Sequence, residues 1–212
     1  MTRNNFIVLE GTDGVGKSTQ AQKLCAYIGA HAKRPVVLIK DPGETALAVK
    51  IKALIKPEND DDIPSPMTTM LLFAAARSDM MRLEALPALN SGKIVVMDRF
   101  TRSSLAYWHA GFGIIPNYVM SLNQMSSADV FPRTTLWLDM PPEKALARIS
   151  SEKKDWIEKR GMDFHMRVYH SYKDMYENYH SRMTRINADQ PEQEVFNEIL
   201  TNVCSEMPEL YA

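Results

Sequence analysis

Residues 10 to 19 read Glu-Gly-Thr-Asp-Gly-Val-Gly-Lys-Ser-Thr and follow directly on the apolar run Phe6-Ile7-Val8-Leu9. Gly11, Gly16, Lys17 and Ser18 satisfy the pattern G-x-x-x-x-G-K-[ST]. The pattern stands where its mechanism requires, between a short run of buried-strand character and an amphipathic stretch that predicts a helix from Lys17 to about Ala32. In that setting the segment Gly11, Thr12, Asp13, Gly14, Val15, Gly16, Lys17, Ser18, Thr19 forms an anion nest from backbone N–H groups and a helix N-terminus. Lys17 can then reach the outer phosphates of a nucleoside triphosphate, and the Ser18 hydroxyl can ligate Mg²⁺. A glycine-rich turn that only caps a helix has no need of the lysine and hydroxyl at these two positions.

Further apolar runs at Val36 to Ile39, Ile94 to Met97 and Thr134 to Leu138, with a weaker one at Met183 to Ile186, alternate with helical patterns. Strands alternating with helices predict an α/β fold, with a parallel sheet of about five strands and helices on both faces. In such sheets ligands bind beyond the carboxyl ends of the strands. Polar residues collect there: Glu10 and the glycine-rich loop after the first run, Lys40-Asp41-Pro42-Gly43 after the second, Asp98-Arg99 after the third, Asp139 after the fourth.

A chain of 212 residues suits one such domain and is short for two. The formal net charge of -1 gives no electrostatic footprint for nucleic acid, and no apolar run reaches the length of a membrane span. Cys25 and Cys204 lie far apart on helical segments, without metal-ligand spacing or a disulfide framework. A soluble, cytoplasmic protein is expected. Pro66 to about Asn90 reads as one long helix whose first half, Met67 to Ala76, carries no charge. A helix apolar on most faces is buried on most of them, either inside the domain or against a second subunit.

The glycine-rich loop does not by itself separate a regulatory GTPase, a motor ATPase and a small-molecule kinase. No Asn-Lys-x-Asp tetrapeptide is present, and the third strand ends in Asp98-Arg99. An arginine at that edge suits a second anion, because its planar fork can grip a phosphate through paired, charge-assisted hydrogen bonds. Asp98 can orient Arg99 or hold a water on Mg²⁺.

At this point the chain resembles the thymidylate kinase family, of the bacterial type, almost end to end. The resemblance is carried by Phe6 to Gln20, Leu72-Phe73-Ala74-Ala75-Ala76-Arg77, Asp98-Arg99-Phe100 and Ser103-Ser104-Leu105-Ala106-Tyr107. It continues through Leu138-Asp139-Met140-Pro141-Pro142-Glu143 and Phe164-x-x-Arg167-Val168-x-x-x-Tyr172. The resemblance implies one nucleoside monophosphate kinase domain over 1–212, a helical lid at roughly 148–163, ATP and Mg²⁺ at the glycine-rich loop, dTMP as acceptor, and a homodimer. Phe73 would stack on the thymine and Arg77 donate to a base oxygen, since the two share a helix face. Arg99 would hold the dTMP phosphate and Asp13 the sugar 3′-hydroxyl. Ser104 and Tyr107 would face base and sugar, and Asp41 and Pro42 the acceptor site.

The lid matches least. Gly14 and Val15 leave no arginine in the loop, so the resemblance implies a cation from the lid, yet Asp155-Trp156-Ile157-Glu158 has tryptophan where the family has arginine. Lys153, Lys154, Arg160 or Arg148 must supply the charge; Arg148 and Lys153 are taken as the candidates, beside Lys17, Arg99 and Asp98. Lys40, Asp41 and Glu44 depart from the family's Arg-Glu-Pro-Gly-Gly-Thr, Trp108 stands for a frequent glutamine, and Asn187 for an aspartate. A kinase for another deoxynucleoside monophosphate, a deoxynucleoside kinase and a non-catalytic nucleotide-binding protein are the remaining readings.

Overall fold

The computed structural model describes residues 2–57, 59–150, 155–178 and 182–208. Five strands, β1 (Thr2–Glu10), β2 (Val36–Lys40), β3 (Ile94–Asp98), β4 (Phe131–Asp139) and β5 (Met183–Asn187), form one sheet in the order β2-β3-β1-β4-β5. Every pairing is parallel. Each expected apolar run is a strand, and helices α1 (Lys17–His31), α2 (Ala46–Ile55), α3 (Pro66–Met80), α4 (Leu86–Asn90), α5 (Thr101–Ser104), α6 (Pro116–Ser126), α7 (Pro142–Ala147), α8 (Met162–Asn178) and α9 (Glu192–Glu206) fall between or after them.

Strand alternation builds two cores. Ile7, Leu9, Ile94, Val96, Leu136 and Leu138 face α1 and α9, meeting Leu24, Ile28, Val195, Ile199 and Val203. Phe6, Val8, Val95 and Met97 point the other way, onto Met80 and Met81 and the α4 residues Ala88 and Leu89. Trp137, between Leu136 and Leu138, also faces away from α1 and α9 and is covered by Val168 and Tyr172 of α8. The expected long helix is one helical run from 66 to 90, with a π-helical stretch at Met81–Ala85 between α3 and α4. Its uncharged first half is not buried all round: Met67 is 40% and Leu71 50% exposed, and Leu47 and Leu54 of neighbouring α2 are 43% and 58% exposed.

The register puts the chemistry at one edge. Leu9 and Lys40 both pair with Asp98, Glu10 with Trp137, and Asp139 with Asn187. β1 and β3 are neighbours, while the connections leaving them run to opposite sides of the sheet. That reversal opens a crevice beyond their carboxyl ends.

Candidate active site

The loop after β1 wraps the start of α1. Gly16 caps that helix in a left-handed conformation, with no side chain accepting from the first turn, so the orphan N–H groups remain free for an anion. Gly14 has φ +83°, and a Cβ built on it would stand 2.0 Å from the Ala145 carbonyl oxygen, so the loop passes α7 at a separation that excludes any side chain. Lys17, 6% exposed, donates to the Thr12 carbonyl at 2.5 Å. Burial first and the Arg99 charge second lower its pKa to about 8, against the pull of Asp13, Asp98 and Glu10. Gly11, Thr12 and Val15 lie under the loop, with the Val15 side chain in the α1 core, whereas Asp13, Gly14, Gly16, Lys17, Ser18 and Thr19 line the cleft.

At the end of β3 the Ser18 hydroxyl donates to Asp98 Oδ2 at 2.5 Å, and Asp98 Oδ1 is buried without a hydrogen-bond partner among the described residues. A carboxylate oxygen left without a donor beside a serine hydroxyl suits a hydrated divalent cation at the mouth of the phosphate loop. Arg99 adopts φ +69°, a conformation non-glycine residues seldom take. The turn aims its guanidinium across the loop: Nη1 donates to the Gly11 carbonyl at 2.9 Å and to Ser103 Oγ at 3.1 Å, and Nη2 to Asp13 Oδ1 and to the Tyr107 hydroxyl. Tyr107 donates to Asp13 Oδ2 at 2.6 Å. Burial alone would raise the Asp13 pKa, but Arg99, Lys17 and Tyr107 together hold it at about 2.

Glu10, fully buried, secures this turn. Its Oε1 accepts from the backbone N–H groups of Phe100 and Ser103 at 2.9 and 3.1 Å, and its Oε2 from the Ser103 and Tyr172 hydroxyls at 2.5 and 3.0 Å. Desolvation raises its pKa in spite of these four donors. The turn that strains Arg99 is thus tied to β1 by a buried carboxylate. The sequence places Glu10 at the ligand edge, but nothing in it shows that its partners come from residues 100, 103 and 172.

Beyond Lys17 and Arg99, α3 and the helical segment 101–111 form the far wall. Phe73 meets Trp108 with ring centroids 5.5 Å apart. Arg77 is 2% exposed and heavily engaged: Nε and Nη2 donate to the two oxygens of Asp41 at 2.9 and 2.7 Å, Nη1 to Asn123 Oδ1 at 2.8 Å, and Nη2 also to Ser104 Oγ at 2.9 Å. Asp41 follows β2 and is joined to Pro42 by a cis peptide. Asn123 of α6, which no sequence signal marks, completes this network.

The loop, the Arg99 turn and the far wall border one cleft of about 670 Å³. Phe73, Arg77, Arg99, Ser104, Tyr107, Asp41, Pro42 and Arg148 line it, as do Lys40, Lys52, Lys56, Trp108, Asp155, Ile157 and Glu158. Arg148 is exposed at the end of α7. Lys153 and Lys154 lie outside the described residues.

One cleft therefore joins a phosphate loop, a second cationic seat and an aromatic wall, and comparison with known proteins gives this combination a family. A family model described as "Thymidylate kinase" matches residues 9–199. The chain belongs to the thymidylate kinase family. The "Thymidylate kinase" of Lactobacillus helveticus (strain DPC 4571) is 34% identical over 212 residues, covering 99% of this chain and 100% of that protein. That of Acinetobacter baylyi (strain ATCC 33305 / BD413 / ADP1) is 37% identical over 199 residues, 93% of this chain and 98% of its own. A third, from Chlorobium luteolum (strain DSM 273 / BCRC 81028 / 2530), is 38% identical over 200 residues, 90% and 92% of the two chains. Trp108 and Trp156 stand on either side of Phe112, their rings 5.4 and 5.6 Å from it.

Proposed function

We infer that the chain transfers the γ-phosphoryl group of ATP to the phosphate of dTMP, giving dTDP and ADP. The observation that carries the reading is the placing of Lys17, at the start of the helix that follows β1, and Arg99, directly after the neighbouring β3, in one cleft with the Phe73 and Trp108 wall beyond them. The reaction breaks the bond from the γ phosphorus to the β,γ-bridging oxygen and forms one to an oxygen of the acceptor phosphate. That acceptor has a second pKa of about 6 and is largely dianionic at neutral pH, so no strong general base is required. The task is to align two anions and offset their repulsion.

In this reading the loop from Gly11 to Thr19 cradles the ATP phosphates and Lys17 neutralises the transferring group. Arg99 receives the dTMP phosphate, released from Asp13 as the substrate anion replaces that carboxylate. Asp13 and Tyr107 then face the sugar, and Phe73 the thymine ring. Arg77 reaches the base from a guanidinium already fixed by Asp41, with Ser104 beside it and Pro42 closing that wall. Ser18 and Asp98 would hold Mg²⁺ through its ligand and water shell, and the ion would supply charge neutralisation at the phosphates. Arg148 is the described lid-side candidate for a further cation, with Lys153 as the other. The whole of 1–212 is taken as one kinase domain with its lid at roughly 148–163. The exposed apolar strip of Leu47, Leu54, Met67 and Leu71 supports pairing of two copies, and sedimentation at micromolar concentration tests that.

The deciding experiment is steady-state ADP release with ATP and Mg²⁺ against a panel of nucleoside and deoxynucleoside monophosphates, with Arg99→Ala as control. The highest kcat/KM with dTMP, lost in Arg99→Ala, is the expected result. Preference for another monophosphate overturns the base assignment, and an acceptor-independent rate throughout overturns the kinase reading.

A further inference from the structure

The turn at Asp155 to Glu158 walls the cleft, yet the indole that helps to fix it is not part of the cleft lining. Asp155 Oδ1 accepts from the N–H groups of Ile157 and Glu158 at 3.0 and 2.9 Å, and Glu158 Oε2 accepts from the Asp155 N–H at 2.8 Å. This reciprocal capping box makes the turn stiff within itself. The Trp156 side chain lines a neighbouring hollow beside Pro64 and Pro66 rather than the cleft itself. There Nε1 donates to the Ile55 carbonyl at 2.9 Å. Ile55 is the last residue of α2, where carbonyls have no partner within the helix. Asp155 Oδ2 meets Lys56 Nζ, one residue further on, at 2.7 Å. The indole also lies 5.6 Å from the Phe112 ring, which stacks on Trp108 at 5.4 Å, and Trp108 in turn meets Phe73 at 5.5 Å. An unbroken run of rings thus leads from the outside of the turn to the aromatic wall of the cleft.

We propose that Trp156 is a positioning residue for phosphoryl transfer, fastening the 155–158 turn to the C-terminus of α2 and to Phe112 so that Asp155 and Glu158 stand as a fixed wall on the acceptor side. The proposal rests on the dTMP kinase reading for its chemical consequence but not for the fastening itself. A wall held in place before nucleotide binds narrows the access of water to the γ phosphorus. The γ-phosphoryl group then passes to the acceptor phosphate oxygen; attack by water oxygen at the same phosphorus instead yields ADP, inorganic phosphate and a proton. Because the indole does not border the cleft, it acts only through the residues on either side of it.

The test uses the full chain as Trp156→Phe, which keeps a ring but removes the N–H, Trp156→Ala, which removes both, and Lys56→Met, which removes the charge and keeps the stem. Amide hydrogen exchange at Asp155, Ile157 and Glu158 reads the fastening without nucleotide. Loss of one neutral hydrogen bond corresponds to exchange about 2- to 10-fold faster in Trp156→Phe, with Trp156→Ala faster again. With ATP and dTMP, the ADP formed in excess of dTDP is expected to rise by a similar factor, and KM for dTMP to rise while KM for ATP holds. Unchanged exchange in both Trp156 variants overturns the fastening. Faster exchange with an unchanged ADP-to-dTDP ratio and unchanged KM values overturns the positioning role and leaves a structural contact. A wild-type chain that makes no dTDP removes the thymidylate reading alone, and the exchange rates then decide the fastening by themselves.

Discussion

Replacing Asp41 by alanine is expected to be among the most damaging changes near the cleft. The Arg77 and Asp41 side chains are only 3% and 4% exposed and are joined by two hydrogen bonds. Their proximity raises the Arg77 pKa against the effect of burial, so the guanidinium stays charged whatever its partner does. Without Asp41 it keeps only the neutral acceptors on Asn123 and Ser104 and the marginal Phe100 carbonyl at 3.5 Å. Leaving one member of a buried pair uncompensated costs about 3 to 5 kcal/mol. For a domain of this size that corresponds to a fall of roughly 6 to 20 °C in Tm. Asp41→Asn, which retains one acceptor oxygen, should fall between. Urea unfolding of Asp41→Ala, Arg77→Met and the double variant closes a cycle in which the double is expected to lose less than the two singles together. In the same proteins KM for dTMP should rise with Asp41→Ala, because Arg77, proposed to reach the base, loses the carboxylate that holds it. A loss under about 1 kcal/mol for Asp41→Ala, or strict additivity in the cycle, would refute the reasoning.

Three further outcomes follow from the same geometry. Lys17→Ala should lower kcat by at least about 100-fold through loss of charge stabilisation at the transferring phosphoryl group, and normal turnover would remove Lys17 from the mechanism. The Asp13 pKa is lowered from 3.8 to about 2, so the native state binds fewer protons than the unfolded chain in that interval and its stability falls as pH drops through it. Asp13→Asn should erase that part of the acid limb, as read by denaturant midpoints. Lys17, lowered from 10.5 to about 8, is deprotonated earlier in the folded state, so its contribution makes stability rise with pH across that window. ATP restores the charge, and calorimetry in two buffers of different ionisation enthalpy should show proton uptake on binding within it. Uptake equal to that of Lys17→Met would count against the assignment.

The strands were legible because β-branched runs alternate with helical patterns, and the cleft because polar residues end each run. The strand ends were less so: β1 begins at Thr2 and β4 at Phe131, earlier than the apolar runs suggest, since Thr2 and Arg3 pair with Phe131 and Pro132 across a register shift. Backbone ladders leave no hydropathy signal where side chains are polar. Arg77 was legible as a cleft residue, but its tie to Asp41, 36 residues away, was not, and neither was Asn123, 46 residues away. Trp156 reads in sequence only as a missing arginine, because its acceptor is a backbone carbonyl 101 residues earlier, and any residue could provide that.

Glu10 closes β1 and pairs in register beside the phosphate loop, while its carboxylate carries the turn behind Arg99. Both anion seats therefore hang from one peg. The tie restrains the gap between them, and in-line transfer is sensitive to that gap. The strand pairing and one buried side chain together set the spacing between the loop and the Arg99 turn, while the outer helices lie outside that tie.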